Sequence, residues 1–585
     1  MRKWGIGIIV VLGIIVSLIY YFPILNSGNN LGIQDWDQNF AWTEYTRVSL
    51  LDYHQFPFWN PYKCGGSVQF ANPQIPVISF QTIFALLFGT VRGIKYSIFF
   101  HGVIGFIGFY LLARQHKLSY AGSLLASIIF SFSGITGSFL STGMVVFTSF
   151  AYTPYILFFF NKSFINRKWG FICGILFALS FYWGYHISLL LSMYILVYAL
   201  ILGIVNRTLA PLKSLAVMFF TSAIIMLPKL FMSIQLIRIF PRMTLLSDIS
   251  GYRFSDLFYF LLSQKQNLFN NLTTHAYNNS IDENSIYVGI LSFLLFLLFF
   301  VKNKKGIRIN LSLLFTSLII IWIMLGSAVS PSLFKVIKQL PVLSAFRTAT
   351  RFRFDFIIPF SLITGLGLDN IVRILQKYKI ARTLSIICVL VVYVDLTLFS
   401  TTNFLSKTLI IKNPESQLSR GDTFIQTDAN YLDLEMQRTI QLPLKYINSP
   451  TFKPWSFEYL KIRQNIGVIK CYDSITTSKV VGTGDKRYQG EFHLIKSVQG
   501  VKVENTFWSP NKLIYKITNA EKAINNNTLV INQNFYPGWI VKMTNIACSR
   551  PLFYNGLLAI RLDPVTEDIS LEFNPLLYYF SCKYR

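Results

Sequence analysis

Acidic side chains are scarce in this 585-residue chain: 26 Asp and Glu stand against 53 Lys and Arg, for a net charge of +27. Charge of either sign is thin, at 14% of residues, where soluble domains carry roughly a quarter. The shortfall excludes an ordinary water-soluble protein, because too few polar groups remain to clothe one. Histidine-based metal spacings such as H-x-x-H and H-E-x-x-H are missing, as are the G-x-S-x-G elbow and the Walker loop, which argues against metalloprotease, hydrolase and ATPase chemistry. No nucleotide-binding α/β pattern, solenoid repeat or low-complexity tract is visible. The six cysteines decide little. Cys173 and Cys388 sit in apolar runs, where a buried thiol is ordinary. Cys64, Cys471, Cys548 and Cys582 lie outside such runs and could form disulfides of unreadable pairing.

What the chain has instead is apolar sequence, 53% of residues, in runs long enough to cross a bilayer, for which ~20 residues suffice. Spans are expected near 5–22, 95–113, 118–139, 143–160, 169–185, 187–205, 213–232, 285–301, 309–326, 354–372 and 383–400. The run at 1–22 lacks a small-residue cleavage site and reads as a retained anchor. The run 75–91 reads as interfacial, because a crossing there would invert every later loop. With that choice, six short segments face the cytoplasm and hold Arg2, Lys3, Arg114, Lys117, Lys162, Arg167, Lys168, Arg207, Lys213, Lys302, Lys304, Lys305, Arg308, Arg373, Lys377, Lys379 and Arg382 without an acid among them. This is the positive-inside pattern, so the charge records topology and not nucleic-acid binding. The expectation is an α-helical polytopic membrane protein of the plasma (inner) membrane with eleven transmembrane helices and a cytoplasmic N-terminus. Residues 1–22 form the first helix, 23–94 an outer loop, and 95–400 the multi-pass domain with outer loops 233–284 and 327–353. Residues 401–585, where strand-like alternation appears in "NTLVINQNF", "LLAIRL" and "DISLEF", form a β-rich extracytoplasmic domain.

The earliest acids fall in "IQDWDQNFAW" (33–42), just past the first span. Asp35 or Asp37 could cap the helix that follows. Either could instead take a proton from an acceptor hydroxyl, or the two could hold a divalent metal such as Mg or Mn beside a phosphate. Next comes "FPFWNPYKCGGSVQFANPQIP" (56–76), whose turn residues and aromatics suit the headgroup region. Its polarity and length also read as a built site, with Trp59, Asn60, Asn72 and Gln74 as substrate-binding candidates. Arg347, Arg351 and Arg353 cluster in "RTATRFR", against the positive-inside trend, and could bind phosphate oxygens bidentately or snorkel to lipid headgroups. Lys229 and Arg238 flank the outer end of the seventh span, where an ionisable group either meets a partner or snorkels. Glu283 opens the eighth span in "DENSIYVGIL", as helix cap or as a binding residue. The histidines, His54, His101, His186 and His275 among them, read as hydrogen-bonded structural residues.

The carboxylate after the first helix and "QFPFWNPYKCGGSVQFANPQ" together resemble the first outer loop of the YfhO-like bacterial membrane proteins, of the GT-C glycosyltransferase superfamily. "DENSIYVGIL", "LPVLSAFRTATRFRF" with "GLGLDNI", "QNFYPGWIVKM" and "YNGLLAIRL" extend the similarity along the chain. The resemblance implies a polyprenyl-phosphate-linked sugar donor, an acceptor in the cell envelope (glycan, lipid or protein), inverting transfer, and a first-loop catalytic carboxylate falling on Asp37, with Asp35 next. Two departures stand out: "RTATRFR" lacks a proline between its first two arginines, and the chain stops at "NPLLYYFSCKYR" without a closing span. A flippase of lipid-linked glycans and a non-catalytic envelope assembly factor are the competing readings. Paired repeats would favour the flippase.

Overall fold

The computed structural model describes residues 3–32, 35–239, 251–266, 281–300, 307–340, 343–346, 348–375, 380–427, 458–469, 479–519, 527–544, 546–562, 566–575 and 577–578. They divide into two compact units, each assembled from separate stretches of chain. The first comprises Met1–Gly28, Ile94–Leu227 and Thr244–Ile410, and the second Asn29–Gly93, Pro228–Met243 and Ile411–Arg585.

Among the described residues, seven helices are long and apolar enough to cross a membrane: Gly5–Asn26, Thr90–Gln115, Tyr120–Ser141, Tyr185–Asn206, Ala210–Ile239, Ala349–Ile374 and Ile380–Lys407. Eleven were expected. The other four expected places hold shorter pieces: a 3-10 stretch Val145–Tyr152 continuing into Thr153–Ser163, and helices Lys168–Trp183, Ile290–Leu298 and Ile307–Met324. Hydropathy averages do not register where a backbone leaves the α conformation. Gly289, at φ +80°, is the residue from which the eighth expected span turns helical, so 285–289 is not part of that helix. The 75–91 run yields only Phe80–Phe88, nine residues capped by Ser79 accepting from the Thr82 N–H. At 1.5 Å per residue that is ~14 Å, half of a bilayer core.

The first unit packs around the helix Arg353–Ile374. A Cβ on Gly365 would lie 2.6 Å from Gly122 O, and one on Gly367 would lie 1.8 Å from Leu295 O. Glycine at both places therefore lets the helix meet Tyr120–Phe132 and Ile290–Leu298 backbone to backbone, the small-residue packing that substitutes for a hydrophobic driving force in lipid. Some polar groups inside spans are paired across helices. Tyr20 donates to Ser400 Oγ at 2.9 Å, and Tyr393 donates to Val16 O at 2.7 Å. His101 is held by Ser97 O and the Tyr152 hydroxyl, a structural histidine.

The second unit joins the first long loop to the C-terminal strands. A five-stranded antiparallel sheet runs in the order Ile546–Ser549, Trp539–Met543, Asp568–Phe573, Lys512–Thr518, Lys502–Ser509. A four-stranded sheet runs Leu552–Tyr554, Leu557–Arg561, Thr528–Asn534, Phe492–Leu494. The three stretches singled out by alternation are all strands. Asp568–Phe573 alternates in burial, as a one-sided strand should, whereas Thr528–Asn534 is buried along its middle five residues and packs on both faces. Cys64 and Cys548 are disulfide-bonded, and Cys173 and Cys388 are free and buried. Cys471 and Cys582 lie outside the described residues.

Candidate functional site

The helix Asp35–Leu51 begins with Asp35 and Asp37 in its first turn and is buried over most of its length. Acids suit a helix N-terminus, where unpaired N–H groups leave partial positive charge. Asp37, however, serves a second helix. It is 6% exposed, and its Oδ2 accepts from the Glu458 N–H at 2.8 Å and its Oδ1 from the Tyr459 N–H at 3.2 Å. Those are orphan donors at the start of Glu458–Arg463, so Asp37 caps that helix from a distant part of the chain. Two turns further along the same face, Glu44 receives Arg463 at 2.9 Å, and Arg463 also reaches Glu415 at 2.8 Å. Between these two acids the Phe40 ring lies 5.9 Å from that of Tyr459. Residues 37, 40 and 44 thus form one stripe that clasps the shorter helix. Glu44 shares a face with Asp37 by helical spacing and was findable from the sequence, while Arg463 gave no signal.

Burial, with the nearby Glu458 charge adding to it, pushes the Asp37 carboxyl up to about 7. The two backbone N–H groups and Lys63 pull the other way without cancelling the rise. Burial likewise pushes Glu491 up to about 7, against the opposing pull of the Gln426 N–H and the Tyr488 hydroxyl. A carboxyl raised in the folded state takes up protons on folding. Its stabilising contribution is complete below the ordinary carboxylate range and is lost as pH rises through about 7. The midpoint of thermal unfolding is therefore expected to fall between pH 5 and pH 8, and Asp37→Asn and Glu491→Gln should each flatten that slope in thermal scans across the range.

The first loop's candidates are mostly internal to this unit. Trp59 is fully buried, not set in a headgroup layer. Its Nε1 donates to Gln533 Oε1 at 2.8 Å, and its ring lies 5.6 Å from Trp539 and 5.1 Å from Phe573. Trp36 is fully buried too. Trp59, one of the aromatics that suggest a lipid interface, thus belongs to a core shared with the C-terminal strands. Asn60 donates to Gln69 Oε1 and accepts from the Tyr62 N–H. Asn72 Oδ1 accepts from the Gln74 N–H, closing a turn. Lys229 is fully buried, its Nζ donating to Ile75 O at 2.7 Å, while the exposed Arg238 sits in the last turn of the same helix.

The arginine segment belongs to the first unit. Arg351 forms a bidentate pair with Glu283, Nε donating to Oε2 at 3.0 Å and Nη2 to Oε1. Two residues taken from the sequence as separate candidates are therefore partners. Arg353 is 1% exposed and donates to Asp282 O at 2.6 Å and Ser285 O at 3.1 Å. Asp282, in turn, accepts from the Thr142 hydroxyl at 3.2 Å. Just before Arg351 along the chain, Thr348 and Thr350 are buried, and their hydroxyls have no hydrogen-bond partner among the described residues. Arg347 lies outside the described residues. Arg351 and Glu283 are only 14% and 13% exposed, so Arg351→Met strands a carboxylate and should cost about 3 kcal/mol, the low end for breaking a buried pair, read as a lowered unfolding temperature in detergent.

The donor set does not favour a metal. Among the described residues no group of three or more His, Cys, Asp or Glu side chains could hold an ion.

No family model matches this chain, and no curated protein matches it. Among solved structures, it is similar to the Archaeoglobus fulgidus oligosaccharyltransferase, crystallised with zinc and sulfate, at 15% identity and a TM-score of 0.44 over 79% of this chain. It is also similar to the arabinofuranosyltransferase AftD from Mycobacteria, at 12% identity and a TM-score of 0.49 over 82% of this chain. The chain spans 62% of the length of the first and 32% of the second.

Proposed function

We propose that this chain is a membrane glycosyltransferase of GT-C type, moving a sugar from a polyprenyl-phosphate-linked donor to a cell-envelope acceptor at the extracytoplasmic face. The observation that carries the reading is a first-loop carboxyl, Asp37, buried and pushed up to about 7. A general base works best when its pKa lies near the working pH. Each oxygen of the carboxylate has two lone-pair directions and gives one to a backbone N–H, so capping leaves a direction for a proton. In this scheme Asp37, or Asp35 beside it, takes the proton from the acceptor hydroxyl as that oxygen attacks the anomeric carbon. The bond from that carbon to the donor phosphate breaks on the opposite side, with inversion. A separate proposal, confined to the first unit, is that Arg351 and Arg353, with Arg347, bind phosphate oxygens. The unpartnered Thr348 and Thr350 hydroxyls support this assignment, since buried polar groups without protein partners commonly serve a ligand.

Reconstitution in liposomes with a polyprenyl-phosphate sugar and an envelope acceptor fraction tests the reading. Formation of a glycosidic bond is expected, and transbilayer movement of donor without bond formation would point to a flippase instead. Mass spectrometry of envelope glycans with and without the gene should show a hexose missing from one polymer, which would identify the acceptor.

A further inference from the structure

The four-stranded sheet ends in a hairpin unlike the rest of its surface. Leu552, Phe553 and Tyr554 are 45%, 67% and 38% exposed, three apolar side chains in succession on the outermost strand. Such a run is a fault in a water-facing sheet unless something covers it. Natural edges are blunted with lysine, proline or a bulge; Pro551 stands just before this strand, but Leu552–Tyr554 itself holds none of these and pairs in unbroken register with Leu557–Ala559. The turn is tight, with Asn555 at φ +51° and Gly556 at φ +91°, so the tip is rigid. Phe535, whose N–H donates to Gly556 O, lies 5.6 Å from the Phe553 ring and widens the aromatic patch. The flanking charge has one sign. Arg550 and Arg561 bracket the hairpin, no acid occurs from 546 to 562, and the exposed Lys479 lies against the turn, its Cγ 2.8 Å from where a Gly556 Cβ would stand.

We propose that this hairpin is a lipid-docking element that sets Leu552, Phe553 and Tyr554 into the interfacial layer of an anionic bilayer while Lys479 and Arg561 meet its headgroup phosphates, Arg550 being held on Tyr578. Aromatic and aliphatic tips rimmed by basic residues are the composition that interfaces retain, and each basic residue adds attraction to anionic lipid. A protein groove that took three apolar residues would more often answer the surrounding charge with acids, whereas a phosphate surface answers it everywhere. The proposal does not depend on the catalytic reading.

The test uses the full-length protein in nanodiscs of mixed anionic and zwitterionic lipid, with Cys173, Cys388, Cys471 and Cys582 replaced by Ser. A nitroxide is placed at Phe553→Cys, at Tyr554→Cys, or at the exposed control Lys486→Cys. Collision with a water-soluble nickel chelate should fall several-fold at 553 and 554 relative to 486, while collision with oxygen rises. In purely zwitterionic nanodiscs the protection should weaken. Nickel access at 553 equal to that at 486 would overturn the proposal. So would a loss of both nickel and oxygen collisions, the mark of a protein partner or a second copy. Protection unchanged by the removal of anionic lipid would overturn the role given to the basic residues.

Discussion

Asparagine at position 37 should lower sugar transfer by roughly 10²–10⁴-fold, the ordinary worth of a general base, while the protein remains folded and inserted. The amide keeps one oxygen to accept a backbone N–H from Glu458 or Tyr459 but turns an NH₂ toward the other. A destabilisation of about 1–2 kcal/mol should follow from the lost hydrogen bond. The two effects need separating, because Asp37 holds the helix Glu458–Arg463 as well. Glu415→Gln is the matched control. It weakens the contacts to Arg463 and the Tyr459 hydroxyl without touching the Asp37 carboxyl. If Glu415→Gln and Asp37→Asn lower turnover equally, the loss at 37 is mechanical and the base must be sought at Asp35. If Asp37→Asn alone collapses the rate, and the rate of wild type falls away below about pH 7 as the carboxyl protonates, the assignment stands.

Alanine at position 59 should be the most damaging single change to folding. Trp59 is fully buried, with its indole N–H on Gln533 and its ring against Trp539 and Phe573. Its backbone is tied in as well: its N–H donates to Asn511 Oδ1 at 2.9 Å and its carbonyl accepts from Tyr45. Removing so large a side chain from a core costs about 3–5 kcal/mol, and it also leaves the Gln533 amide without its indole partner. Limited proteolysis of the C-terminal strands should accelerate sharply in Trp59→Ala. Gly66→Ala approaches the same pocket from the other side. Its new Cβ would sit 2.5 Å from Trp59 Cζ2, at a φ of +102° that alanine resists. Were Trp59→Ala to unfold like wild type, the loop would not be the keystone described here.

Local pattern made much of this architecture readable. Apolar stretches announced the helices, and alternation announced Thr528–Asn534, Leu557–Arg561 and Asp568–Phe573, because both periodicities are written within a single element. The interfacial reading of Trp59 misled for a complementary reason. An aromatic beside Pro and Asn looks the same from sequence whether it meets headgroups or a sheet, and only the strands near residues 533–573 decide between them. Helix capping is one role the sequence offers Asp37, but the helix it caps begins 421 residues later. Glu283 and Arg351, noticed separately, are 68 residues apart and meet through tertiary packing alone. Fewer long helices than expected stand among the described residues, where a backbone detail, the 3-10 stretch at Val145–Tyr152 or the turn at Gly289, interrupts a helix without altering its hydropathy.

The unit that unites residues 29–93 with 411–585 imposes a delay on biosynthesis. Trp59 is made early, yet the Gln533 side chain that receives its indole proton is translated 474 residues afterwards. At 5–20 residues per second the interval is roughly 25–95 s, during which a loop rich in tryptophan, tyrosine and phenylalanine stands beside the ribosome's insertion machinery with its eventual neighbours unmade. Until then Trp59 is without the hydrogen bond and ring contacts it has in the finished unit.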